Sequence, residues 1–184
     1  MNKYLGMVGL VTLVVGCANP LNKVTSDNYA STCSQALDAG RLEVAEEACY
    51  RATVNVDWGN LGNELKSERL YNLARIKRRV GKLEEAEKYF IETIKIEDTI
   101  FPARDIRIGR RLAELSAIYY EQERYQEASS YLEKLIPISG LYSGTEKEFL
   151  ANLFHFYSIK LKGSEISQKL SVASIDLGFS EEGK

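Results

Sequence analysis

The sequence of 184 residues has one histidine, three prolines and three cysteines. With a single histidine, the chain cannot form a metal site built on two histidines. Its 24 basic and 26 acidic residues nearly balance. This balance argues against nonspecific binding to nucleic acid, which needs a basic domain to displace the counterions around phosphates. With 45% hydrophobic residues, the composition is that of a folded globular protein.

Motifs of common catalytic sites are also missing. Ser143 lies one place too late between Gly140 and Gly144 to form the nucleophile elbow Gly-x-Ser-x-Gly. Neither Ser-x-x-Lys nor the full glycine-rich phosphate-binding loop occurs. We therefore expect no catalytic site, no metal site and no cofactor, so that the protein is not an enzyme.

The first sixteen residues differ from the rest of the chain. Lys3 precedes an uncharged apolar run, Leu5 to Val15, which is shorter than the roughly twenty residues that a membrane-spanning helix needs. Residues 1–16 are therefore predicted to be a signal peptide. Residues 14–17, Val-Val-Gly-Cys, resemble the bacterial lipobox. This resemblance implies cleavage after Gly16 and acylation of Cys17.

The lipobox also implies a location. Two or three acyl chains hold a protein durably on a membrane. Ala18 stands where an inner-membrane retention signal has aspartate, which favours the periplasmic face of the outer membrane in the cell envelope. Residues 17–25 contain Pro20 and lack periodicity, so we predict a lipidated tether there. A folded domain is predicted for residues 26–178 and a tail for residues 179–184.

Small and apolar residues recur three times at nearly constant spacing. The three sets are Tyr29, Cys33, Ala36, Gly40, Leu42, Ala45 and Cys49; Leu70, Leu73, Ala74, Gly81, Leu83, Ala86 and Phe90; and Leu112, Leu115, Ser116, Tyr119, Tyr125, Ala128 and Leu132. The pattern resembles the tetratricopeptide repeat (TPR), whose Ala-x-x-x-Phe element is kept by Ala86 and Phe90. The resemblance implies an all-α, TPR-like solenoid with three recognisable helical hairpins.

A degenerate fourth hairpin is predicted to cap the array. Residues 145–148, Thr-Glu-Lys-Glu, have the pattern of a capping box that starts a helix, and Gly163 and Ser164 break the chain before a last helix. Pro102 and Pro137 are expected in the loops on either side of the third repeat. About eight helices should follow the signal peptide.

Cys33 and Cys49 are predicted to form a disulfide. If Cys17 carries lipid, these two cysteines remain as an even pair in an oxidising compartment. They lie eight residues either side of a hairpin turn near Arg41, so antiparallel helices place them opposite one another. The alternative is that they are buried in contact but reduced.

The charge is concentrated in the middle of the chain. Residues 66–111 carry a net charge of +5, whereas residues 18–65 and 112–184 each carry −4. In tetratricopeptide proteins the first helices line a concave groove for partner segments. The resemblance projects six residues into this groove: Tyr71, Arg75, Arg78, Arg110, Tyr120 and His155. An acidic or anionic segment would suit it. The alternative to a binding groove is that residues 75–79 form only a solvated stripe of their helix. His155 would then be only a polar residue on an exposed helix face.

The first helix of the predicted cap is apolar on more than one stripe. Leu150, Leu153, Phe154 and Tyr157 are expected to face the core. This leaves Phe149 and Phe156. They are expected to be covered by the last helix, or else to form an apolar surface for a partner or a second copy.

These features favour a noncatalytic adaptor. The predicted function is a lipid-anchored periplasmic scaffold that assembles or recruits envelope proteins, similar to small repeat lipoproteins of pilus or secretin assembly or of peptidoglycan-enzyme recruitment. The alternative is a self-associating, structural outer-membrane lipoprotein. Its partner would then be a second copy of the same chain, in a homo-oligomer. An enzyme of unrecognised type is the third and least favoured class.

Overall fold

The computed structural model describes residues 18–102 and 105–180. In these ranges the chain forms eight α-helices and no strand. The helices are α1 (Pro20–Asp38), α2 (Leu42–Gly59), α3 (Asn63–Arg79), α4 (Leu83–Ile100), α5 (Ile106–Glu121), α6 (Ser129–Ser139), α7 (Gly144–Lys160) and α8 (Glu165–Asp176). They pair as four antiparallel hairpins that stack in chain order. The predicted all-α solenoid of four hairpins is confirmed. Cys17 and the predicted signal peptide, residues 1–16, lie outside the described residues.

Small residues let the two helices of a hairpin approach closely. Ala74 on α3 and Ala86 on α4 are fully buried, as are Ser116 on α5 and Ala128 just before α6. Larger side chains fill the space beside them, including the fully buried Phe90. This alternation of small and large residues produces close packing along each helix pair.

The first hairpin is covalently closed and tied to the second. Cys33 on α1 and Cys49 on α2 form a disulfide, with their Cα atoms 5.2 Å apart, as the sequence predicted. Arg69 of α3 is buried, and its guanidinium donates to Asp27 of α1 at 2.7 Å and to Ser26 at 3.3 Å. A charged group that is buried in this way needs such partners, so these contacts fix how the two hairpins stack.

The predicted tether is largely helical. Helix α1 begins at Pro20, because proline is well suited to the first turn of a helix and the Asn19 side chain accepts a hydrogen bond from the backbone N of Leu21 at 3.0 Å. Only residues 18 and 19 of the described part of this segment are irregular. The helical repeat therefore starts six residues earlier than predicted.

Two other local predictions are wrong. Pro137 lies inside α6 rather than in a loop. It occupies the last turn, where it removes one hydrogen bond of the helix, but its neighbours Leu135 and Ile138 are buried in the core and hold the helix in place. Helix α7 starts after Ser143, and no side chain caps it, so the predicted capping box does not form.

The cap buries the predicted residues but does not cover the two aromatics. Leu150, Leu153, Phe154 and Tyr157 lie in the core, and the Tyr157 hydroxyl donates to the Ser116 carbonyl oxygen at 2.6 Å. Phe149 and Phe156, however, keep 44% and 38% of their surface exposed. The expectation that the last helix covers them is wrong: α8 contributes the buried Leu170 and Ala173 to the core, and both phenylalanines keep exposed surface.

Candidate partner-binding groove

The first helices of the second, third and fourth hairpins border an open cavity of about 550 Å³. Four of the six predicted groove residues line it: Tyr71, Arg75, Arg78 and Arg110. The remaining lining residues are Arg111, Ala113, Glu114, Tyr142, Thr145, Glu146, Phe149 and Leu150. The structure therefore brings together the predicted groove of the second and third hairpins.

The spacing of the α3 residues explains why they share this face. Tyr71, Arg75 and Arg78 recur after four and three residues, so they lie above one another on one side of the helix. The adjacent stripe, with Leu70, Leu73 and Ala74, is buried in the hairpin. The side of α3 that carries Tyr71, Arg75 and Arg78 is turned away from this buried stripe, and it lines the cavity.

Acidic side chains from neighbouring hairpins already pair with two of the arginines. Arg78 on α3 donates to Glu114 and Glu121 on α5. Arg110 on α5 donates from Nε to Glu146 Oε1 on α7 at 2.6 Å. This hydrogen bond from Arg110 lowers the pKa of the Glu146 carboxyl below its ordinary value. The cavity is therefore a mixed surface rather than a uniformly basic one.

Arg75 is the least engaged of the groove arginines. Its nearest carboxylate oxygen, on Glu114, is 3.8 Å away, and its side chain is 39% exposed. Its guanidinium also lies 5.6 Å from the ring centroid of Tyr71. An incoming carboxylate could pair with Arg75 without displacing a short ion pair. Arg75 therefore offers the first contact for an acidic segment.

A buried ion pair supports the floor of the cavity. The guanidinium of Arg111 lies 3.1 Å from Glu97 Oε1 and 3.6 Å from the ring centroid of Tyr71. Burial raises the pKa of the Glu97 carboxyl, and Arg111 opposes this rise. Because Arg111 is enclosed by these two contacts, it fixes the position of the Tyr71 ring. The sequence predicted Tyr71 but gave no sign of the Arg111–Glu97 pair.

The apolar wall of the cavity comes from the fourth hairpin. Phe149 was predicted as part of a separate apolar patch, but it lines the cavity together with Tyr142. The Tyr142 hydroxyl donates to the Ile106 carbonyl oxygen at 2.8 Å, which holds the α6–α7 loop against α5. Flat aromatic surface therefore stands opposite the arginines, an arrangement that suits a segment with both acidic and apolar residues.

Tyr120 and His155 lie outside the cavity, contrary to the prediction. Tyr120 packs among the rings of Tyr125, Phe156 and Tyr157, with centroid distances of 5.6–6.0 Å. His155 stacks on Phe179 at a centroid distance of 3.8 Å. Tyr120 is in the last turn of α5, and aromatic rings from other parts of the chain pack against both side chains.

The described part of the chain offers little other chemistry. No group of three or more His, Cys, Asp or Glu side chains in residues 18–102 and 105–180 could hold a metal ion. Of the helices in the same ranges, none is both long and apolar enough to cross a membrane.

Comparison with known proteins assigns the repeats. Residues 66–140 match the family model for the tetratricopeptide repeat, a span that includes most of α3, all of α4 to α6 and most of the residues that line the cavity. This match supports tetratricopeptide repeats in residues 66–140. A fold of this kind is typically a noncatalytic scaffold for protein–protein interaction. No curated protein matches the sequence.

Three solved structures are similar in fold. BtubC (BKLC) from P. vanneervenii has a TM-score of 0.72 at 15% identity, covering 89% of this chain and 68% of that one. A putative kinesin light chain with TPR-like repeats from Podosopora anserina has a TM-score of 0.65 at 15% identity, covering 83% and 74%. MamA (41-end) from Desulfovibrio magneticus RS-1 has a TM-score of 0.62 at 15% identity, covering 84% and 76%. At this identity the likeness shows the fold alone.

Proposed function

We propose that the protein is a lipid-anchored scaffold of the bacterial cell envelope. It would bind an acidic segment of an envelope protein in the groove between α3, α5 and α7. The observation that carries this proposal is that Arg75 and Phe149 line the same cavity. Arg75 is partly exposed and has no short ion pair, and Phe149 belongs to the aromatic wall. A bound segment could place a carboxylate on Arg75 and an apolar side chain on Phe149.

The envelope location is proposed from the sequence. The lipobox-like residues before Cys17 support acylation, and the Cys33–Cys49 disulfide agrees with an oxidising compartment. Intact mass of the protein from a lipoprotein-processing bacterium should show loss of residues 1–16 and two or three acyl chains. A Cys17→Ser variant should lose the lipid. Retention of residues 1–16 on the mature wild-type protein would contradict the anchor.

Site-specific crosslinking tests the groove. A photoreactive amino acid at position 149 should capture a partner in cells, identified by mass spectrometry, because Phe149 borders the cavity. The adduct should disappear when Arg75→Glu and Arg110→Glu are combined. Arg41→Glu is the matched control, since Arg41 is exposed in the turn between α1 and α2, away from the cavity. An adduct that persists in the double reversal would contradict the proposal.

Self-association in a structural outer-membrane role is the second candidate. It is favoured by apolar residues that stay exposed at the end of the solenoid, Val172 and Ile175 on α8, and by Phe156 on α7. Light scattering distinguishes the two functions. A mass above the monomer that falls in the Phe149→Ser, Phe156→Ser variant, with helicity retained, would support self-association. A monomer in both proteins would remove it.

A further inference from the structure

One edge of the solenoid carries three segments without charge. This inter-repeat edge includes residues 18–22 at the start of α1, residues 58–63 around the α2–α3 loop, and the α6–α7 loop, residues 140–143, while Glu64, Asp105 and Arg107 supply charge between them. These three segments contain no charged residue, although 27% of the chain is charged. The four turns at the opposite edge, by contrast, each carry a basic residue. These are Arg41, Lys82, Arg124 and Lys162.

Contacts show that the segments belong to one edge. The backbone N of Asn19 donates to the Gly59 carbonyl oxygen at 2.8 Å, which places the start of α1 beside the end of α2. The antiparallel hairpins bring the N-termini of α3, α5 and α7 to the same side. Arg107 at the start of α5 lies 3.5 Å from Glu64 at the start of α3, and Tyr142 bonds to the carbonyl of Ile106.

Large apolar side chains project from this edge. Trp58 is 77% exposed, Leu21 is 76% exposed and Leu141 is 57% exposed. Trp58 is the only tryptophan of the chain. Tryptophan is enriched where membranes meet water, because its ring is apolar while its N–H can still bond to water or headgroups. Such exposure, next to segments without charge, therefore fits a lipid interface.

The chain length fixes what this edge can reach. Cys17 lies four residues before Leu21, a separation of at most about 14 Å even when fully extended. If Cys17 is acylated, the edge cannot move far from the bilayer surface. This position favours a lipid surface over a second copy, which would have to enter the same narrow space. The groove, which opens between α3, α5 and α7, is lined by a different set of residues.

We propose that the inter-repeat edge lies on the lipid surface, with Leu21 and Trp58 in the headgroup region. The inference rests on the proposed lipid anchor at Cys17 and adds an orientation to it. The folded domain is then held in one orientation instead of turning freely on its short connection to the lipid.

Trp58 itself reports the contact. The full chain, processed in a lipoprotein-producing bacterium, is reconstituted into phosphatidylethanolamine–phosphatidylglycerol vesicles with plain or brominated acyl chains. We expect Trp58 emission to shift to shorter wavelength in plain vesicles and to lose intensity in brominated ones. Leu21→Ser combined with Leu141→Ser should reduce both effects. The matched control is Val44→Ser with Ile159→Ser, two residues exposed at the opposite edge, which should change neither.

The other outcomes overturn the inference. Emission typical of water-exposed tryptophan, equal in both vesicle types, would mean that the edge stands away from the lipid. A shift to shorter wavelength without quenching would mean that protein, not lipid, covers Trp58. Intact mass of the same sample shows whether Cys17 is acylated, so that failure of the orientation and failure of the lipid anchor are told apart.

Discussion

Arg110 on α5 and Glu146 on α7 form a two-point ion pair across neighbouring hairpins. Arg110 Nε lies 2.6 Å from Glu146 Oε1, and Arg110 Nη2 lies 3.0 Å from Glu146 Oε2. Both side chains are partly exposed and border the cavity. A carboxylate of a bound segment would have to compete with Glu146 for the same guanidinium.

Removing this competitor should strengthen binding of an acidic segment. In Glu146→Gln the charge that holds Arg110 is lost, while the side chain keeps its size. Because exposed pairs contribute less than about 1 kcal/mol, stability should change little, and affinity should rise by at most about fivefold. Isothermal titration with the segment captured at position 149 measures this change. Weaker binding by Glu146→Gln would mean that Glu146 itself contacts the partner.

The buried pair beneath the groove should matter for folding. Arg111→Ala leaves the carboxylate of Glu97 buried without its cation, which should cost about 3–5 kcal/mol in the free energy of unfolding. Arg75→Ala, at an exposed position, should cost less than about 1 kcal/mol. Urea denaturation compares the two. Replacing both partners, as Arg111→Met with Glu97→Met, should recover much of the loss, since no unpaired charge remains.

The start of α5 should be sensitive to acid. Asp105 accepts hydrogen bonds from the backbone N of Arg107 at 2.8 Å and from its guanidinium. The bond from the Arg107 side chain is the main cause that lowers the pKa of Asp105 from 3.8 to about 2. Since the folded-state pKa lies below the unfolded one, this stabilisation is present above about pH 4 and is lost as pH falls towards about 2.

The matched variant for this prediction is Asp105→Asn, which can still cap the helix. At neutral pH it should lower the free energy of unfolding by about 1–2 kcal/mol, allowing for the partial exposure of Arg107. The difference from wild type should close between about pH 4 and pH 2. A difference that stays constant over this range, measured by urea denaturation at each pH, would show that the charge of Asp105 is not the cause.

The disulfide should stabilise the first hairpin. Cys33 and Cys49 are sixteen residues apart, and closing a loop of this size is worth about 3 kcal/mol in the chain-entropy model. Cys33→Ala with Cys49→Ala should therefore melt earlier, and reduction of the wild-type protein should have a similar effect. Alkylation of unreduced protein should label neither residue. Stoichiometric labelling of both in freshly isolated protein would refute the bridge.

Repeats and local spacing allowed the fold to be predicted. The recurrence of small residues such as Ala74 and Ala86 indicates pairs of closely packed antiparallel helices. In such a pair, Cys33 and Cys49 lie opposite each other because they are equally far from the turn. The errors were local. Proline favours a loop on local grounds, but Pro137 lies in α6 because Leu135 and Ile138 beside it are buried in the core, and the sequence does not show this packing. Pro20 belongs to the first turn of α1, a position that proline favours, and not to a tether.

The site could be predicted only where it depends on a single helix. Arg75 and Arg78 share a face of α3 by spacing alone, and the structure places both in the cavity. The pairing of Arg110 with Glu146 joins residues 36 positions apart, and a net charge summed over a segment cannot show it. Phe149 lines the cavity together with residues of α3 and α5, and spacing within one helix cannot show this contact between hairpins either.

A charge-swap measurement tests the central claim most directly, namely that groove arginines bind carboxylates of a partner segment. The segment captured at position 149 is synthesised in its natural form and with its acidic residues replaced by lysine. Titration calorimetry then measures the affinity of each form for the wild type and for the Arg75→Glu, Arg110→Glu variant. We expect the natural segment to bind only the wild type and the lysine form to bind only the variant. Equal affinity of the natural segment for both proteins would contradict the account.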